Sequence, residues 1–248
     1  MYQRYAALRS PRDPGAGDGL PLPPPRLRVL VAGSPDPDRF LRSGALEAAA
    51  MRALLQGHGI RLEETAAILD FGCGCGRITR HWTNLSGPAI FGCDYNPELV
   101  AWCRRHLPSV RTETNGPEPP LPFARRFDFI YAISVFTHLS EPLQFAWMNE
   151  LLGSLSPGGV LLFTTVGERG AARLSPAERE RFESGELVVR FDESSGRNLC
   201  AAFHPPAFVR RMAGDLELVE TVDTGLPGVW SASPLNLQDT HLVRAPAR

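Results

Sequence analysis

From residue 66 onward, short apolar runs alternate with amphipathic stretches along the chain. This rhythm is typical of strand–helix–strand units, which assemble into a parallel sheet with helices packed on its faces. Strands are predicted at 66–70, 89–94, 110–114, 127–133 and 159–166. Helices are predicted between them at 77–82, 97–106 and 141–155. The pattern therefore predicts an α/β core of about 100 residues.

The regions before and after this core do not show the alternating pattern. Residues 11–25 carry six prolines and three glycines, too many for a helix or a central strand, so an extended linker or surface wrap is predicted there. A helical pattern follows at 38–56. The charged stretch at about 167–204 is predicted to be an insertion over the carboxyl edge of the sheet. A helix at 205–213 and strands at 216–222 and 240–244 complete the chain.

Two regions are therefore expected: an N-terminal segment with its Pro-rich linker, 1–25, and a single domain, 26–248, that includes the insertion. The size supports this division. A chain of 248 residues buries roughly 70–75% of the surface that it exposes when unfolded, which suffices for one large core. Of its residues, 43% are hydrophobic. All 26 basic residues are arginine, which excludes mechanisms built on a Schiff-base or P-loop lysine.

Charge and cysteine count bear on partners and location. The formal net charge of −1 lacks the positive field of a protein whose main partner is nucleic acid, so no nucleic-acid partner is expected. Five cysteines, an odd number, and a start without a charged-then-apolar leader indicate a reducing, cytoplasmic location. No apolar run approaches the roughly 18 residues of a spanning helix, so no membrane role is expected.

The segment 68–77, Ile-Leu-Asp-Phe-Gly-Cys-Gly-Cys-Gly-Arg, is the most informative in the chain. An apolar strand ends in Asp70, and three glycines at alternate positions then allow positive φ and the close approach of a ligand to the backbone. Asp94 follows 24 residues later at the end of the second strand, where a carboxylate can accept both hydroxyls of a ribose. The G-x-G-x-G spacing differs from the dinucleotide G-x-G-x-x-G and disfavours NAD.

This segment resembles motif I of the class I S-adenosylmethionine-dependent methyltransferases. Further pieces follow in the family's order over about 100 residues: Phe-Gly-Cys-Asp-Tyr at 91–95, Phe-Asp-Phe-Ile at 127–130, Ser-Val-Phe-Thr-His-Leu at 134–139 and Leu-Ser-Pro-Gly-Gly at 155–159. The resemblance implies a Rossmann-like, doubly wound α/β fold with a seven-stranded sheet. In such a sheet the strands are mostly parallel, and the last one is antiparallel.

The same resemblance implies S-adenosyl-L-methionine as the cofactor and assigns residues to it. Backbone around the glycines would contact the methionine and ribose portions, Asp94 the ribose hydroxyls, and Tyr95 the adenine ring. Asn115, followed by Gly116, is the nearest candidate for the adenine amine, and Arg77 is a candidate for the cofactor carboxylate, although a plain exposed ion pair is an equal alternative. The implied cofactor-binding set is Gly72, Cys73, Gly74, Gly76, Arg77, Asp94, Tyr95, Asn115, Gly116 and Ser134.

At the end of the fourth strand, where the family's reaction centre lies, His138 is the best-placed candidate for a catalytic base. A structural role for this histidine is the alternative. Asp192, Glu193, His204 and His241 are lesser candidates, each more simply explained as a surface polar group or helix cap. Trp230, in the loop 225–237, is either a wall of the acceptor pocket or an ordinary packing residue.

Two other kinds of site are disfavoured. Cys73 and Cys75 form a C-x-C pair without a second His/Cys pair at suitable spacing, so no zinc site and no other metal are expected. The Asn/Asp-Pro-Pro-Tyr/Phe signature of methyltransferases that act on exocyclic amines of nucleic-acid bases is absent. So is the acidic residue that begins the metal-binding set of cation-dependent O-methyltransferases.

These observations predict a metal-independent enzyme that transfers a methyl group from S-adenosylmethionine to a small-molecule or sugar-containing acceptor. The main alternative is a methyltransferase-like protein that binds the cofactor or a partner without catalysis. A third candidate, an NAD-linked oxidoreductase, fits the fold class but not the glycine spacing. The acceptor, the methylated atom and the oligomeric state are left open by the sequence.

Overall fold

A computed structural model of the chain describes residues 18–247, apart from 197, 215 and 223–237. The strands are β1 Ala67–Phe71, β2 Ala89–Asp94, β3 Val110–Thr114, β4 Phe127–Ala132, β5 Leu155–Val166, β6 Val188–Arg190, β7 Ala201–Phe203, β8 Glu217–Val222 and β9 Gln238–Arg244. The helices are α1 Pro25–Ala32, α2 Pro37–Gly57, α3 Pro97–His106, α4 Glu141–Gly153, α5 Glu168–Ala171, α6 Pro176–Glu183 and α7 Pro206–Ala213.

Seven strands form one sheet in the order β3-β2-β1-β4-β5-β9-β8. The first five are parallel, whereas β9 runs antiparallel to both of its neighbours, β5 and β8. Every residue of β1 is buried, as expected for a central parallel strand covered on both faces. Separate apolar clusters lie on the two faces, one around Phe127 and Trp147 and the other around Met51 and Trp82. The predicted doubly wound sheet with an antiparallel last strand is confirmed.

Most predicted elements are present within a few residues, but one predicted helix is wrong. Residues 77–82 form turns and a short 3₁₀ helix, Thr79–Trp82, instead of an α-helix. Gly76 just before them has φ +80°, outside helical space.

The predicted insertion lies where expected in sequence and folds as a small unit. It contains α5, α6 and an antiparallel pair, β6 with β7. Ser175 and Glu178 begin α6 with a reciprocal capping box, which satisfies two free N–H groups of the first turn. The insertion is tied to the main sheet because the N–H of His204 donates to the carbonyl of Val166 at the end of β5 (2.7 Å).

The described part of the Pro-rich segment lies against the domain. The guanidinium of Arg80, 3% exposed, binds both carboxylate oxygens of Asp18 and the carbonyl of Leu20. Arg28 in α1 is fully buried and donates to the carbonyls of Pro23 and Pro35. These contacts agree with the surface wrap predicted for this segment; the boundary at residue 25 stays a prediction. Residues 1–17 lie outside the described part of the chain.

No helix among the described residues is long and apolar enough to cross a membrane.

Candidate active site

The glycine loop after β1 folds back on the end of β2. The N–H groups of Gly72 and Cys73 both donate to the carbonyl of Cys93, at 2.8 and 2.9 Å. Gly72, Gly74 and Gly76 all have positive φ, between 56° and 81°, a conformation that strains any residue with a Cβ. The loop is also closely covered, because a Cβ on Gly72 would lie 2.4 Å from Cγ2 of Val135 and one on Gly74 would lie 2.7 Å from Cγ2 of Val31.

Asp94 ends β2 directly beside this loop. One of its carboxylate oxygens accepts the N–H of Gly74 (2.9 Å) and the other accepts the N–H of Asn96 (2.8 Å). Asp94 is 8% exposed, and burial raises the pKa of its carboxyl group against the lowering effect of the two N–H donors. A carboxylate has about four acceptor positions, so two hydroxyl donors can still be bound.

Asp70, at the end of β1, lies in a closed network beneath the loop. Its Oδ2 accepts hydrogen bonds from the Thr79 hydroxyl (2.5 Å) and the Tyr131 hydroxyl (2.6 Å). The indole of Trp82 donates to the Tyr131 oxygen in turn (2.9 Å). Burial raises the pKa of Asp70 to about 7, although the two hydroxyl donors oppose the shift. Through these hydrogen bonds Asp70 connects the segment after the glycine loop to β4.

Asn115 follows β3 at the same edge. Its Nδ2 donates to the carbonyl of Gly116 (2.7 Å), while its Oδ1 is buried without a hydrogen-bond partner among the described residues. An unpartnered buried acceptor is costly unless a donor reaches it. Tyr95, next to Asp94, is 45% exposed at the same edge of the sheet.

Arg77 is held by an acidic residue of α2. Its guanidinium lies 2.6 Å from the Glu47 carboxylate, and the two side chains are 8% and 1% exposed. The alternative of a plain exposed ion pair is therefore wrong, because this pair is buried. Gly44 permits this packing, since a Cβ there would lie 2.1 Å from the carbonyl oxygen of Arg77. A contact of Arg77 with a cofactor carboxylate stays a prediction.

Ser134 begins the turn after β4 with φ +58°, a strained value for a residue with a side chain. Its N–H donates to the Thr164 hydroxyl (2.8 Å), and its own hydroxyl accepts from Nε2 of Gln238 (2.8 Å). These contacts join the end of β4 to β5 and β9. Val135, which covers Gly72, is the next residue.

His138 closes this turn as the last residue of a 3₁₀ helix, Phe136–His138. Its ring is partly buried, and Nδ1 lies 2.6 Å from the carbonyl oxygen of Cys200 in the insertion. The carbonyl of His138 accepts the N–H of Gly196 (2.7 Å). The insertion and the predicted reaction centre are therefore in direct contact.

The lesser candidates are placed differently from the expectation. His204 and His241 are 1% and 4% exposed, so describing either as a surface polar group is wrong. His204 bonds Gln144, and His241 lies between Thr165 and Thr221. Burial lowers the pKa of His204 to about 3 and that of His241 to about 4, so both rings are neutral packing groups. Asp192 and Glu193 are exposed, and Trp230 lies outside the described residues.

The cysteines of the loop pack as small buried groups. Cys73 and Cys75 are 3% and 1% exposed. The neighbouring Cys103 thiol and burial raise the pKa of Cys73, and burial raises that of Cys75 to above its usual range, so neither is a ready thiolate. In the part of the chain that the structure describes, no three His, Cys, Asp or Glu side chains are grouped to hold a metal ion.

The chain resembles known proteins in sequence and in structure. Residues 68–159 match the family model described as a methyltransferase domain. A malonyl-[acyl-carrier protein] O-methyltransferase from Enterobacter lignolyticus is 32% identical over 115 residues, which are 46% of this chain and 44% of the relative. A trans-aconitate 2-methyltransferase from Variovorax paradoxus is 31% identical over 103 residues. The chain spans only 39–57% of the length of these two relatives and of a second malonyl-[acyl-carrier protein] O-methyltransferase.

Solved structures show the same fold. The CcbJ methyltransferase from Streptomyces caelestis superimposes with a TM-score of 0.58 at 17% identity, covering 83% of this chain and 90% of that one. The glycopeptide N-methyltransferase MtfA, solved with S-adenosyl-L-methionine, has a TM-score of 0.53 at 15% identity, covering 79% and 87%.

In residues 68–159 the chain is thus similar to the class I S-adenosylmethionine-dependent methyltransferases. The matched region runs from β1 to the start of β5 and contains the glycine loop, Asp94, Asn115 and His138. The residues present fit the family's cofactor: three positions of the loop have the positive φ that favours glycine, and the Asn115 Oδ1, without a partner among the described residues, suits an amine donor. An NAD-linked oxidoreductase is not supported.

Several residues that shape the candidate site were not predicted. Val31 of α1 covers Gly74, and Gln238 holds Ser134; both lie far from the motifs in sequence. Gln144, in contrast, could have been recognised from the sequence pattern. It lies on the buried face of α4 with Trp147, Met148 and Leu151, a spacing of three, four and seven residues, so a polar group stands in an apolar stripe.

Proposed function

We propose that this protein is a methyltransferase that transfers a methyl group from S-adenosylmethionine to a small-molecule or sugar-containing acceptor, without a metal ion. The observation that carries the proposal is the joining of Asp94 to the glycine loop through the N–H of Gly74, which leaves acceptor positions on a buried carboxylate at the loop's edge. The same proposal includes no nucleic-acid partner, which the net charge of −1 supports, and a cytoplasmic location, which the five free cysteines support.

In this proposal, each part of the cofactor has a binding group at the carboxyl edge of the sheet. Asp94 accepts the ribose hydroxyls, Asn115 Oδ1 accepts the adenine amine, and Tyr95 lies against the adenine ring. Gly72, Cys73, Gly74, Gly76 and Gly116 allow the backbone to approach, and Ser134 closes the site beside Val135. The bound cofactor supplies an electrophilic methyl group. The chain's own task is then to align an acceptor with it and to exclude water.

The acceptor side would be built from the turn at 134–140 and the insertion. The N–H of Ser140 donates to the Ser195 hydroxyl (2.7 Å), and Asn198 Nδ2 donates to the carbonyl of Leu30 in α1 (2.9 Å). The insertion thereby bridges the reaction-centre turn and the helix that covers the glycine loop. An insertion in this position suits a small acceptor that can be enclosed between it and the sheet.

Calorimetric titration with S-adenosylhomocysteine, the expected product, tests the proposal, with NADH as the control ligand. We expect micromolar binding of the former alone. Asp94→Ala removes charge-assisted hydrogen bonds to two hydroxyls, so we expect at least a tenfold loss of affinity, on the order of 1.4 kcal/mol or more. Glu64→Ala is the matched control, because Glu64 is an exposed carboxylate paired with Arg61 at the opposite end of β1.

Two outcomes would contradict the proposal. Absence of S-adenosylhomocysteine binding, or equal binding by wild type and Asp94→Ala, would remove the cofactor assignment. Cofactor binding without turnover on any acceptor would favour the alternative, a methyltransferase-like protein that binds without catalysis.

A further inference from the structure

The hydrogen bond between His138 and Cys200 fixes the position of a proton. A backbone carbonyl oxygen can only accept, and Nδ1 of His138 lies 2.6 Å from that of Cys200. Nδ1 must therefore carry the hydrogen. In a neutral imidazole the other nitrogen, Nε2, then carries the free lone pair.

The backbone around His138 is held so that the ring keeps this orientation. Gln144 is fully buried, and its Nε2 donates to the carbonyls of Phe136 (2.8 Å) and Leu139 (3.1 Å), on either side of His138. The Oε1 of Gln144 lies 3.2 Å from Nε2 of His204, the residue that follows β7. One buried amide thus joins the reaction-centre turn to the insertion that supplies the Cys200 carbonyl.

The environment of the ring favours the neutral form. Burial lowers the pKa of His138 below its usual value, and the hydrogen bond to Cys200 only partly opposes this. The arginines of the insertion that contact carboxylates are already neutralised: Arg179 by Glu168 and Glu183, Arg181 by Glu186, and Arg190 by Glu178. A neutral imidazole with a free lone pair is a proton acceptor at neutral pH.

We propose that Nε2 of His138 takes the proton of the acceptor, and that the acceptors of this enzyme are therefore molecules with a neutral hydroxyl or amine N–H group. A carboxylate has already lost its proton at neutral pH and would meet the lone pair of Nε2 without a hydrogen to share. The inference rests on the proposed function, because it needs a methyl donor beside His138.

The step balances. The acceptor oxygen or nitrogen forms its bond to the methyl carbon as the methyl–sulfur bond breaks, and the sulfur leaves as a neutral thioether. The electron pair of the O–H or N–H bond stays on the acceptor, and its proton forms a second N–H bond at Nε2. Positive charge thus passes from the sulfonium to the imidazolium, which releases its proton to water. Gln144 and the Cys200 carbonyl act as positioning groups.

The tautomer can be measured without any acceptor. Long-range ¹H–¹⁵N correlation spectra of the full-length, ¹⁵N-labelled protein with S-adenosylhomocysteine report which ring nitrogens carry hydrogen. The signals of His138 are those missing from His138→Asn. We expect a hydrogen on Nδ1, none on Nε2, and a neutral ring at pH 7. A hydrogen on Nε2, or an imidazolium at pH 7, would overturn the inference.

Methyl transfer is then measured on a panel of small alcohols, phenols and amines and on carboxylic acids with the same skeletons. We expect methylation of the first group only. His138→Asn keeps a donor near the Cys200 carbonyl but lacks Nε2, so we expect the rate to fall at least about 100-fold. His106→Asn is the control, since His106 stacks on Trp102 in α3.

The outcomes separate the two proposals. If S-adenosylhomocysteine does not bind the wild type, the proposed function fails. If it binds wild type and His138→Asn alike while Nε2 carries the hydrogen, or carboxylic acids are methylated, only the acceptor class fails. A protein that methylates no member of the panel is judged on the tautomer.

Discussion

The carboxylate of Asp94 and the backbone N–H of Gly74 are joined by a 2.9 Å hydrogen bond, which fixes the glycine loop to the end of β2. The bond forms only because Gly74 adopts φ +56°. A left-handed conformation costs a residue with a Cβ about 1–2 kcal/mol. The Cβ would also lie 2.7 Å from Cγ2 of Val31, so α1 would have to move away from the loop.

Gly74→Ala should therefore weaken S-adenosylhomocysteine binding at least tenfold and lower the Tm by several degrees. Gly57→Ala is the matched control, because Gly57 ends α2 and a Cβ there meets no atom within 4 Å. Its affinity should equal that of wild type, and its Tm should not fall. Calorimetry and thermal unfolding of the two variants check this, and equal behaviour of both would show that the loop is not held as described.

Local patterns predicted the sheet well. The bounds of β2 and β3 match the structure because apolar runs between turn residues leave little choice of strand. The same kind of reasoning failed at 77–82, where a positive φ at Gly76 decides the conformation and is not visible in an apolar pattern. The glycine loop and Asp94 lie together because each follows one of two neighbouring parallel strands, an arrangement that the motif order predicts; their role in cofactor binding stays a prediction.

Long-range partners were beyond the reach of sequence patterns. Glu47 lies thirty residues before Arg77, on a helix whose rotation about its axis the sequence does not fix. The carbonyl of Cys200, which orients His138, belongs to the backbone and has no residue-type signature at all. The burial of His204 likewise follows from how the insertion docks on β5.

The buried pair of Glu47 and Arg77 gives a second prediction. Removing one partner leaves an uncompensated buried charge, so Glu47→Gln or Arg77→Met alone should lower the free energy of unfolding by about 3 kcal/mol or more. The double variant should recover most of this loss, because neither charge remains. Urea unfolding of wild type, the two single variants and the double variant measures the interaction free energy between Glu47 and Arg77.

The double variant also tests the role of Arg77 in cofactor binding. If Arg77 serves mainly to hold α2 on the glycine loop, the folded double variant should bind S-adenosylhomocysteine within about threefold of wild type, a difference well under 1.4 kcal/mol. A loss of tenfold or more would instead support the predicted contact between Arg77 and the cofactor carboxylate.

The N-terminal wrap provides a third prediction through Asp18 and Arg80. Burial alone would raise the pKa of Asp18, but the hydrogen bonds and charge of Arg80 outweigh it and lower the pKa below 3.8. The ionised carboxylate therefore stabilises the fold above pH 3.8, and this contribution is lost as the pH falls through the lowered value. Asp18→Asn should lower the free energy of unfolding by about 2 kcal/mol at pH 7. In urea unfolding the difference from wild type should shrink below pH 3.8; a constant difference would contradict the role of the charge.

Asp70 should respond to pH in the opposite direction. Its pKa is raised from 3.8 to about 7, so between these values the folded protein holds a proton that the unfolded chain has lost. The unfolded state then binds fewer protons, and the contribution of Asp70 to stability falls as the pH rises from about 4 through 7. Asp70→Asn keeps an oxygen to accept from Thr79 and Tyr131 but has no charge to bury.

The Asp70→Asn variant should thus have the same free energy of unfolding as wild type near pH 4. Near pH 8 its free energy of unfolding should be higher by a few kcal/mol, since each unit of pKa shift corresponds to about 1.4 kcal/mol. Urea unfolding of both proteins at several pH values gives this difference directly, because other titrating groups cancel. Glu64→Gln, at an exposed carboxylate, is the control and should differ little from wild type at either pH. If the difference in the free energy of unfolding between wild type and Asp70→Asn stays constant from pH 4 to 8, Asp70 is ionised throughout, and its two hydroxyl donors stabilise the carboxylate.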